Sequence, residues 1–245
     1  MFVYILDSGI DITHPDFQGR ARWGFSSSSN TQKDDFGHGT HVAGIVASNS
    51  FGVAKKAWVV AVQVLDAHGE GSTSDIIRGV HYVMDQVRKD PFQKAIINMS
   101  FGGPADDVVD DVLESAVGMG ISVVVAAGNE GQDACKYSPG RHSSVITVGA
   151  SDDTDQFATF SNSGACVDIV APGKGIKSLW PKGGYKSLDG TSSAAPHVSG
   201  VIATLKSQFP NASPSHLSHL LNQAATMNAL SVPNETVNRL LYNRL

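Results

Sequence analysis

Residues 121–127, ISVVVAA, give the clearest indication of how this chain folds. This stretch is apolar except for Ser122, it is rich in β-branched residues, and a Gly-Asn turn sequence follows it. A short continuous apolar run of this kind is typical of a strand that is buried on both faces of a parallel sheet. The runs at residues 2–6, 58–65 and 95–99 have the same character. We therefore predict a buried strand at each of these places.

Helical patterns lie between these runs. Residues 74–88 and 105–119 place apolar side chains every three or four positions, and Ser74 is the predicted cap of the first helix. Strands that alternate with helices predict right-handed strand–helix–strand units. The expected fold class is therefore α/β, with a doubly wound, mostly parallel sheet and helices on both faces. No repeat or linker-like stretch interrupts the pattern, so we expect a single domain over residues 1–245.

The composition excludes several classes of protein. Hydrophobic residues make up 41 % of the 245 residues and charged residues 17 %, which favours a folded globule over disorder. The net charge of −5 offers no basic surface for nucleic acid or for an anionic membrane. Residues 121–127, the longest apolar run, are far fewer than the roughly 20 residues of a membrane-spanning helix. The first residues (MFVYIL) lack the charged lead and cleavage site of a signal peptide.

Polar residues follow three of the predicted strands. Asp7 follows the first strand, Ser100 the third and Asn129 the fourth. The carboxyl ends of parallel strands meet at one edge of a sheet, where doubly wound proteins bind their ligands. We therefore expect these side chains to converge. Asp7 and Asn129 also have a simpler interpretation, because Asp-Ser-Gly and Gly-Asn are common turn sequences.

Two adjacent serines precede a predicted helix in the stretch DGTSSAAPHVSG, residues 189–200. Proline is tolerated only near the first turn of a helix, so Pro196 predicts a helix that begins close to Ser192. Ser192 then faces the positive end of that helix, where a serine serves either as an N-terminal cap or as a nucleophile. A serine hydroxyl is a weak nucleophile, so the second role requires a base.

The candidate base lies in the stretch DDFGHGTHVAG, residues 34–44. His38 stands between two glycines at the start of a predicted buried helix, so we expect it to be accessible only from that end. His38 and His41 are also a candidate zinc pair, but they lack the glutamate of the His-Glu-x-x-His pattern and an evident further ligand. The order Asp7, His38, Ser192 along the chain is the order of the subtilisin triad.

The chain resembles the subtilisin-like serine proteases, in particular their proteinase K and aqualysin branch. The stretches that carry the resemblance are DSGIDITHPDF, GHGTHVAGI, NMSFGG, VVAAGNEG, TVGASD and GTSSAAPHVSG, which extend over residues 6–206. The resemblance implies a serine endopeptidase that forms an acyl-enzyme, with Ser192 as nucleophile, His38 as base and Asp7 as the residue that orients His38. It also implies that the side-chain amide of Asn129 stabilises the oxyanion.

The resemblance further implies how a substrate is held. Residues 100–102 and 69–73 are expected to be two strands that pair with an extended peptide, and residues 126–128 to wall the pocket for the side chain before the scissile bond. Small wall residues leave space, so we expect broad specificity with a preference for apolar or aromatic side chains. The residues assigned to substrate in this way are Gly69, Gly71, Thr73, Ser100, Phe101, Gly102, Ala126, Ala127 and Gly128.

Two structural features also follow from the resemblance. By themselves, Cys135 and Cys166 allow either one disulfide or two reduced thiols, whereas relatives of the aqualysin type imply a disulfide. Asp168 falls where the proteinase K branch binds calcium, together with the backbone carbonyls of Ser143 and Val145. The alternative for Asp168 is a surface aspartate without a metal. The chemistry itself requires no cofactor.

The sequence departs from the pattern of that family at several positions. Ser193 stands where methionine is usual, Phe36 where asparagine is usual and Ser143 where proline is usual. Met1 lies only six positions before Asp7. We therefore expect the signal peptide, the propeptide and the first segment of the mature domain to be missing. This favours an alternative function, namely a truncated and catalytically inactive peptide-binding domain.

Partners and location are expected from the resemblance as well. Protein or peptide substrates are the first partners, and a propeptide or a protein inhibitor would be a further one. We expect no nucleic-acid partner, no membrane association and a monomer. Members of the family are secreted, so we expect an extracellular location, although this sequence contains no signal peptide.

Overall fold

The computed structural model describes residues 1–27, 32–90 and 92–243. The strands are β1 (Phe2–Asp7), β2 (Ala21–Ser26), β3 (Trp58–Gln63), β4 (Ala95–Met99), β5 (Gly103–Pro104), β6 (Ser122–Ala126), β7 (Tyr137–Ser138), β8 (Ile146–Ser151), β9 (Ile169–Pro172), β10 (Ile176–Trp180), β11 (Gly184–Leu188), β12 (Thr226–Met227) and β13 (Arg239–Leu240). The α-helices are α1 (His38–Ala47), α2 (Thr73–Lys89), α3 (Asp107–Gly118), α4 (Thr191–Gln208) and α5 (Pro214–Ala224). Short 3₁₀ turns lie at Pro15–Phe17 and Ala134–Lys136.

Nine strands form one sheet in the order β12-β13-β9-β8-β6-β4-β1-β3-β2. Neighbouring strands from β13 to β2 are parallel, and β12 runs antiparallel to β13. The order reverses beside β1, which lies between β3 and β4. Ligands of doubly wound sheets bind at such a reversal, beyond the carboxyl ends of the strands. The predicted fold class, a doubly wound and mostly parallel α/β sheet, is confirmed.

Helices cover both faces of this sheet. Residues of α1, α4 and α5 belong to one apolar cluster, and residues of α2 and α3 belong to a second. In β1, Val3 and Ile5 contribute to the first cluster while Tyr4 and Leu6 contribute to the second, and all four are fully buried. Alternate residues of a strand face opposite sides, so a continuous apolar run is needed to fill both layers. No helix in the described ranges is long and apolar enough to span a membrane.

The first helix after β3 has a different cap from the one predicted. Ser72, not Ser74, caps α2, because Ser72 is extended and its hydroxyl accepts the backbone N–H of Asp75 at 3.2 Å. Ser74 already lies inside the first turn. The helix predicted at 105–119 begins at Asp107, since the carboxylate of Asp106 caps it. Both differences arise from which polar side chain reaches the free N–H groups of the first turn.

The sequence predicts none of β2, β8 and β9. β2 (ARWGFS) is a partly exposed edge strand whose pairing with β3 shifts register after Trp23, so its apolar pattern is broken. β8 (ITVGAS) contains Gly149 and hydroxyl residues although it is fully buried. The Thr147 hydroxyl is satisfied there by donating to the carbonyl of Gly140 at 2.8 Å. A polar residue satisfied by such a tertiary contact is not recognisable as part of a core strand from sequence.

Helix α4 begins at Thr191, close to Ser192 as predicted. Pro196 is nevertheless the sixth residue of the helix, beyond the first turn that we expected it to mark. Proline has no N–H, so the carbonyl of Ser192, four residues earlier, receives no helical hydrogen bond from it. The prediction of the helix start is confirmed, whereas the argument about the position of the proline was wrong.

Candidate active site

Asp7, His38 and Ser192 come from three elements and lie at one edge of the sheet. Asp7 is the last residue of β1, His38 is the first residue of α1, and Ser192 is the second residue of α4. His38 and Ser192 line the same cavity, of about 260 Å³. The structure therefore brings together side chains that the sequence separates by more than 150 positions.

The imidazole of His38 is held by the carboxylate of Asp7. Its Nδ1 atom lies 2.9 Å from each carboxylate oxygen. Asp7 is completely buried, and the backbone N–H of Ser8 donates to its Oδ1 at 2.7 Å. An ionised carboxylate only accepts, so Nδ1 carries the proton in this bond. The Nε2 atom of neutral His38 is then left with a free lone pair, which is what a base requires.

The surroundings of His38 act in opposite directions on its pKa. Burial lowers the pKa, whereas the negative charge and hydrogen bond of Asp7 raise it, and the charge of Asp34 raises it further. The net result is a pKa above the ordinary value of 6.5. The imidazole therefore gains the proton more readily than a free histidine, which suits a group that takes a proton during a reaction and returns it.

Ser192 lies beside a glycine that makes room for its hydroxyl. Gly190 has a φ of +150°, and a Cβ atom there would come within 2.8 Å of Ser192 Oγ. Ser192 itself lines the cavity that His38 also lines. Hydrogen bonds between a nucleophile and its base are often long without substrate and tighten once it is bound.

Asn129 is oriented by Thr191, the residue before Ser192. Its Oδ1 atom accepts the backbone N–H of Thr191 at 2.8 Å and the hydroxyl of Thr191 at 3.0 Å. These two bonds leave the Nδ2 donor on the other side of the amide. A Cβ atom at Gly190 would lie 3.6 Å from that Nδ2, so the amide and the Ser192 hydroxyl flank the same glycine. The arrangement places a donor beside the candidate nucleophile.

Every residue predicted to contact substrate lines one of two neighbouring cavities. The cavity shared with His38 and Ser192 includes Gly69, Ser100, Phe101, Gly102, Ala126, Ala127 and Gly128. A second cavity of about 590 Å³ includes Gly71 and Thr73, and it shares Gly69, Phe101 and Gly102 with the first. The two cavities are therefore continuous along the surface.

The two predicted substrate-pairing segments are not strands in this structure. Residues 66–70 form a turn in which the backbone N–H of Asp66 donates to the carbonyl of Glu70 at 2.8 Å. Thr73 is already the first residue of α2, and its hydroxyl donates to Asp106 at 2.7 Å. Residues 100–102 lie between β4 and β5 without regular pairing. Both segments line the two cavities, and their pairing with an extended peptide stays a prediction.

Further residues of the cavity were not predicted as site residues. Phe36 lines it, with its ring centre 6.3 Å from that of His38, and Gly69 permits the approach because a Cβ there would lie 2.7 Å from the Phe36 ring. Glu130 and Tyr137 line it as well. All three lie outside the predicted strands and helices, so no hydrophobic period marks them. The only signal for Phe36 was its departure from the family pattern.

His41 does not form a metal pair with His38. Its Nε2 atom lies 3.0 Å and 3.1 Å from the backbone carbonyls of Ile176 and Lys186, in β10 and β11. Burial lowers the pKa of His41 to about 4, so the ring is neutral and donates from Nε2. Across the described ranges, no group of three or more His, Cys, Asp or Glu residues suits a metal ion. His41 instead links α1 to the β10–β11 hairpin through these hydrogen bonds.

The cysteines and the candidate calcium residues lie apart from the cavity. Cys135 and Cys166 form a disulfide, with an S–S distance of 2.07 Å, so the implied pairing is confirmed. Asp168 accepts the backbone N–H of Thr147 at 2.8 Å. Burial raises the pKa of Asp168 to about 6, although Thr147 and the charge of Arg239 act against this. Ser143 and Val145 lie just before β8, which pairs with the strand that follows Asp168.

The doubly wound sheet, with a buried aspartate, a partly exposed histidine and a helix-start serine at its carboxyl edge, defines a protein with a subtilisin-like fold. Comparison with known families agrees. The chain belongs to the subtilase family, whose peptidase S8 model matches residues 1–241. The match covers every candidate site residue named above.

Individual relatives support this assignment. The chain is 43 % identical over 242 residues to a subtilisin-like protease of Coccidioides posadasii (strain C735), a match of 98 % of this chain and 60 % of that protein. It is 45 % identical over 247 residues to the subtilase-type proteinase psp3 of Schizosaccharomyces pombe, a match of 98 % and 55 %. The chain thus spans little more than half the length of these relatives. A solved structure, of a cold-adapted subtilisin-like serine proteinase, superposes with a TM-score of 0.95 at 40 % identity and covers 100 % of this chain and 89 % of the other.

Proposed function

We propose that this chain is a serine endopeptidase that hydrolyses peptide bonds of proteins through Ser192, His38 and Asp7. The observation that carries the proposal is the contact of His38 Nδ1 with the buried Asp7 carboxylate, at the wall of the cavity that Ser192 also lines. Membership of the subtilase family supports it. The groups required for acyl transfer are a nucleophile, a base and a residue that orients the base, and each has a candidate here.

The proposed reaction proceeds in two halves. Ser192 Oγ attacks the peptide carbonyl while His38 Nε2 accepts the hydroxyl proton, and Asp7 stabilises the imidazolium that forms. The C–N bond then breaks as His38 gives that proton to the leaving amine, and an acyl-enzyme remains on Ser192. Water attacks this ester with His38 again as base, and the acid product leaves with the original hydroxyl restored. No cofactor takes part in these steps.

The negative oxygen of each tetrahedral intermediate requires donors that are already in place. The Nδ2 atom of Asn129 is one candidate, since Thr191 holds its Oδ1 atom on the opposite side. The backbone N–H of Ser192 is the other, because the first N–H groups of a helix have no partner within the helix. Both belong to the same corner of the cavity, and both are fixed before substrate arrives.

We expect Asn129→Leu to lower kcat by about 100- to 1000-fold while KM changes little, because the amide stabilises the transition state more than the bound substrate. This magnitude is the one known for the matching asparagine of subtilisin. Initial rates on a chromogenic peptide measure it. Asn49→Leu, at an exposed asparagine outside both cavities, is the control that should retain normal kcat. A tenfold or smaller loss in Asn129→Leu would argue against this role.

Specificity is proposed to be broad, with a preference for apolar or aromatic side chains before the scissile bond. The cavity of about 260 Å³ is walled there by the buried Ala126 and Ala127. An unpaired charge in such a pocket loses its hydration without compensation. In a peptide library varied at that position, we expect kcat/KM for Phe or Leu to exceed that for Asp or Lys by about tenfold or more. A profile dominated by acidic or basic residues would contradict this preference.

Covalent labelling with a fluorophosphonate probe tests the proposed function directly. The probe reacts with an activated serine, so we expect one label per chain, and peptide mapping should place it on Ser192. The alternative function, an inactive peptide-binding domain, predicts a folded chain that binds peptides but does not label. Circular dichroism on the same sample distinguishes an unreactive folded chain from an unfolded one. A folded chain that remains unlabelled would overturn the proposal.

Calcium binding by Asp168 with the carbonyls of Ser143 and Val145 is proposed as a structural feature. Oxygen atoms are the ligands that calcium prefers, and a buried carboxylate with a raised pKa is a group whose charged form a cation would favour. These three atoms are fewer than the six to eight oxygens that calcium usually takes, so water would supply the others. Calcium at this place would hold the segment before β8 against the residue that precedes β9.

The remaining expectations concern the chain as a whole. We propose a single domain over residues 1–245, a monomer, and protein or peptide substrates. A propeptide or a protein inhibitor that occupies the two cavities in the manner of a substrate is a further proposed partner. A secreted origin is proposed from the family and from the Cys135–Cys166 disulfide, because disulfides persist in oxidising surroundings.

A further inference from the structure

We propose that Asp34 is a positioning residue that holds the start of α1, and with it His38, against the end of β1 beside Asp7. The inference rests on the proposed function, since it assigns a role relative to the His38 base. Asp34 lies four positions before His38 in a segment without regular structure, yet it is only 6 % exposed. A carboxylate is rarely buried to this extent without partners.

The carboxylate of Asp34 accepts four hydrogen bonds. Its Oδ1 accepts the Ser8 hydroxyl at 2.8 Å and the backbone N–H of Gly37 at 2.7 Å. Its Oδ2 accepts both the backbone N–H and the hydroxyl of Thr40, at 2.8 Å and 2.6 Å. Ser8 directly follows Asp7, and Gly37 directly precedes His38. One side chain is thus bonded to the immediate neighbours of both members of the Asp7–His38 pair.

Further hydrogen bonds extend this network between the same two segments. The Ser8 hydroxyl accepts the backbone N–H of Gly39 at 3.0 Å, and the Thr40 hydroxyl accepts the backbone N–H of Asp11 at 2.8 Å. The segments are in direct backbone contact, because a Cβ atom on Gly39 would lie 2.1 Å from the carbonyl oxygen of Gly9. A small movement of α1 relative to the end of β1 would disturb this contact. The hydrogen bonds of Asp34 join the two segments and oppose such a movement.

Asp34 also performs the capping that α1 lacks from its own N-cap. Gly37 occupies the cap position and has no side chain to offer. The bond from Asp34 to the N–H of Thr40 satisfies one of the free donors of the first turn. A negative charge at this end of the helix is favourable as well. The first turn, where His38 is located, is thereby fixed by a residue outside the helix.

The charge of Asp34 acts on His38 in addition to these bonds. The groups around His38 are Asp7 from β1, Asp34 from the preceding segment and His41 from α1 itself. On the β10–β11 side, Lys186 is stacked on Trp180, the side chain against which Gly37 packs. Burial lowers the pKa of His38, while Asp7 and then Asp34 raise it. Loss of the Asp34 charge should therefore lower the pKa of His38.

Asp34→Asn is the test variant, because it retains the shape of the side chain. The new amide nitrogen cannot accept, so it faces the backbone N–H of either Gly37 or Thr40 and disrupts that bond. We expect kcat per fluorophosphonate-titrated site to fall by about 10- to 100-fold with KM nearly unchanged, since a small misplacement of a base has that effect. The acid limb of the kcat/KM–pH profile should move to lower pH.

The controls separate positioning from stability. Asp16→Asn changes a carboxylate that accepts the N–H and hydroxyl of Ser50, away from the cavity, and should leave kcat and the acid limb unchanged. Thr40→Val removes the hydroxyl bond to Asp34, together with the bond that the same hydroxyl accepts from the Asp11 N–H, and keeps the Asp34 charge. We therefore expect kcat per titrated site to fall by a few-fold while the acid limb of the pH profile does not move. This variant decides the question if Asp34→Asn does not fold.

Each outcome then has a clear meaning. If Asp34→Asn folds and has wild-type kcat per titrated site and an unmoved acid limb, Asp34 only stabilises the fold and the inference is overturned, whatever the melting temperature. If Asp34→Asn does not fold but Thr40→Val does, an unchanged kcat in Thr40→Val also overturns the inference that Asp34 positions His38. A wild-type chain that neither labels nor hydrolyses peptides overturns the proposed function as well. Activity in the wild type thus distinguishes the two failures.

Discussion

Ser192→Ala is expected to lower kcat by about 10⁶-fold. The magnitude is the one known for the matching serine of subtilisin, and the reason is that no other group can form the acyl-enzyme. Residual turnover would come from the donors at Asn129 and the backbone, which still stabilise attack by water. Rates on a chromogenic peptide measure the loss, and fluorophosphonate labelling should vanish with it.

Ser193→Ala is the matched control for this prediction. Ser193 is adjacent, it is 1 % exposed, and its hydroxyl is buried without a hydrogen-bond partner among the described residues. Removing an unpaired buried hydroxyl removes a desolvation penalty, so we expect stability to be unchanged or raised and kcat to stay within about twofold. If Ser193→Ala abolished labelling while Ser192→Ala retained it, the nucleophile would have been assigned to the wrong serine.

Asp7→Asn is expected to lower kcat by about 10⁴-fold with little change in KM. The backbone N–H of Ser8 donates to Oδ1, so the oxygen of the new amide takes that position and the NH₂ group takes the Oδ2 position, which also lies 2.9 Å from His38 Nδ1. An NH₂ group cannot accept the Nδ1 proton. The imidazole then carries its proton on Nε2 and has no lone pair for the Ser192 hydroxyl, and the imidazolium also loses its negative partner.

The same measurement on Asp152→Asn provides the control. Asp152 accepts the backbone N–H groups of Thr154 and Gln156 in a loop outside both cavities. We expect this variant to retain kcat within about twofold, because surface changes away from the site have small effects. Retention of more than a tenth of wild-type kcat by a folded Asp7→Asn would show that Asp7 does not set the proton position on His38.

The predictable part of the fold is the part that is apolar on both faces. β1 and β4 lie where their continuous apolar runs predict them, and the helical stripes predict α2 and α3 apart from their first residues. β8 was missed because buried Thr147 and Gly149 break the pattern, and their tolerance depends on contacts with residues remote in the chain. A run of apolar residues therefore identifies a buried strand, whereas a buried strand that contains polar residues escapes detection.

The candidate site was predictable from residue types and their order, while its inner structure was not. Asp7, His38, Ser192 and Asn129 were assigned from turn sequences, helix starts and a family resemblance, and they lie at one sheet edge. Nothing in the sequence indicated the four hydrogen bonds that the Asp34 carboxylate accepts. An aspartate in a loop cannot be recognised from the sequence as buried and hydrogen-bonded rather than exposed to water.

The sequence alone indicates which segments form apolar strands and helices, and which residues carry a hydroxyl, an imidazole or a carboxylate near their ends. The packing of the folded chain establishes that Ser192 lines the cavity while Ser193 is buried beside it, and that Asp34 joins β1 to α1. The physical reason is the range of the interactions. Periodicity and capping depend on neighbours within a few positions, whereas the partners of a buried polar group come from segments that are adjacent only after folding.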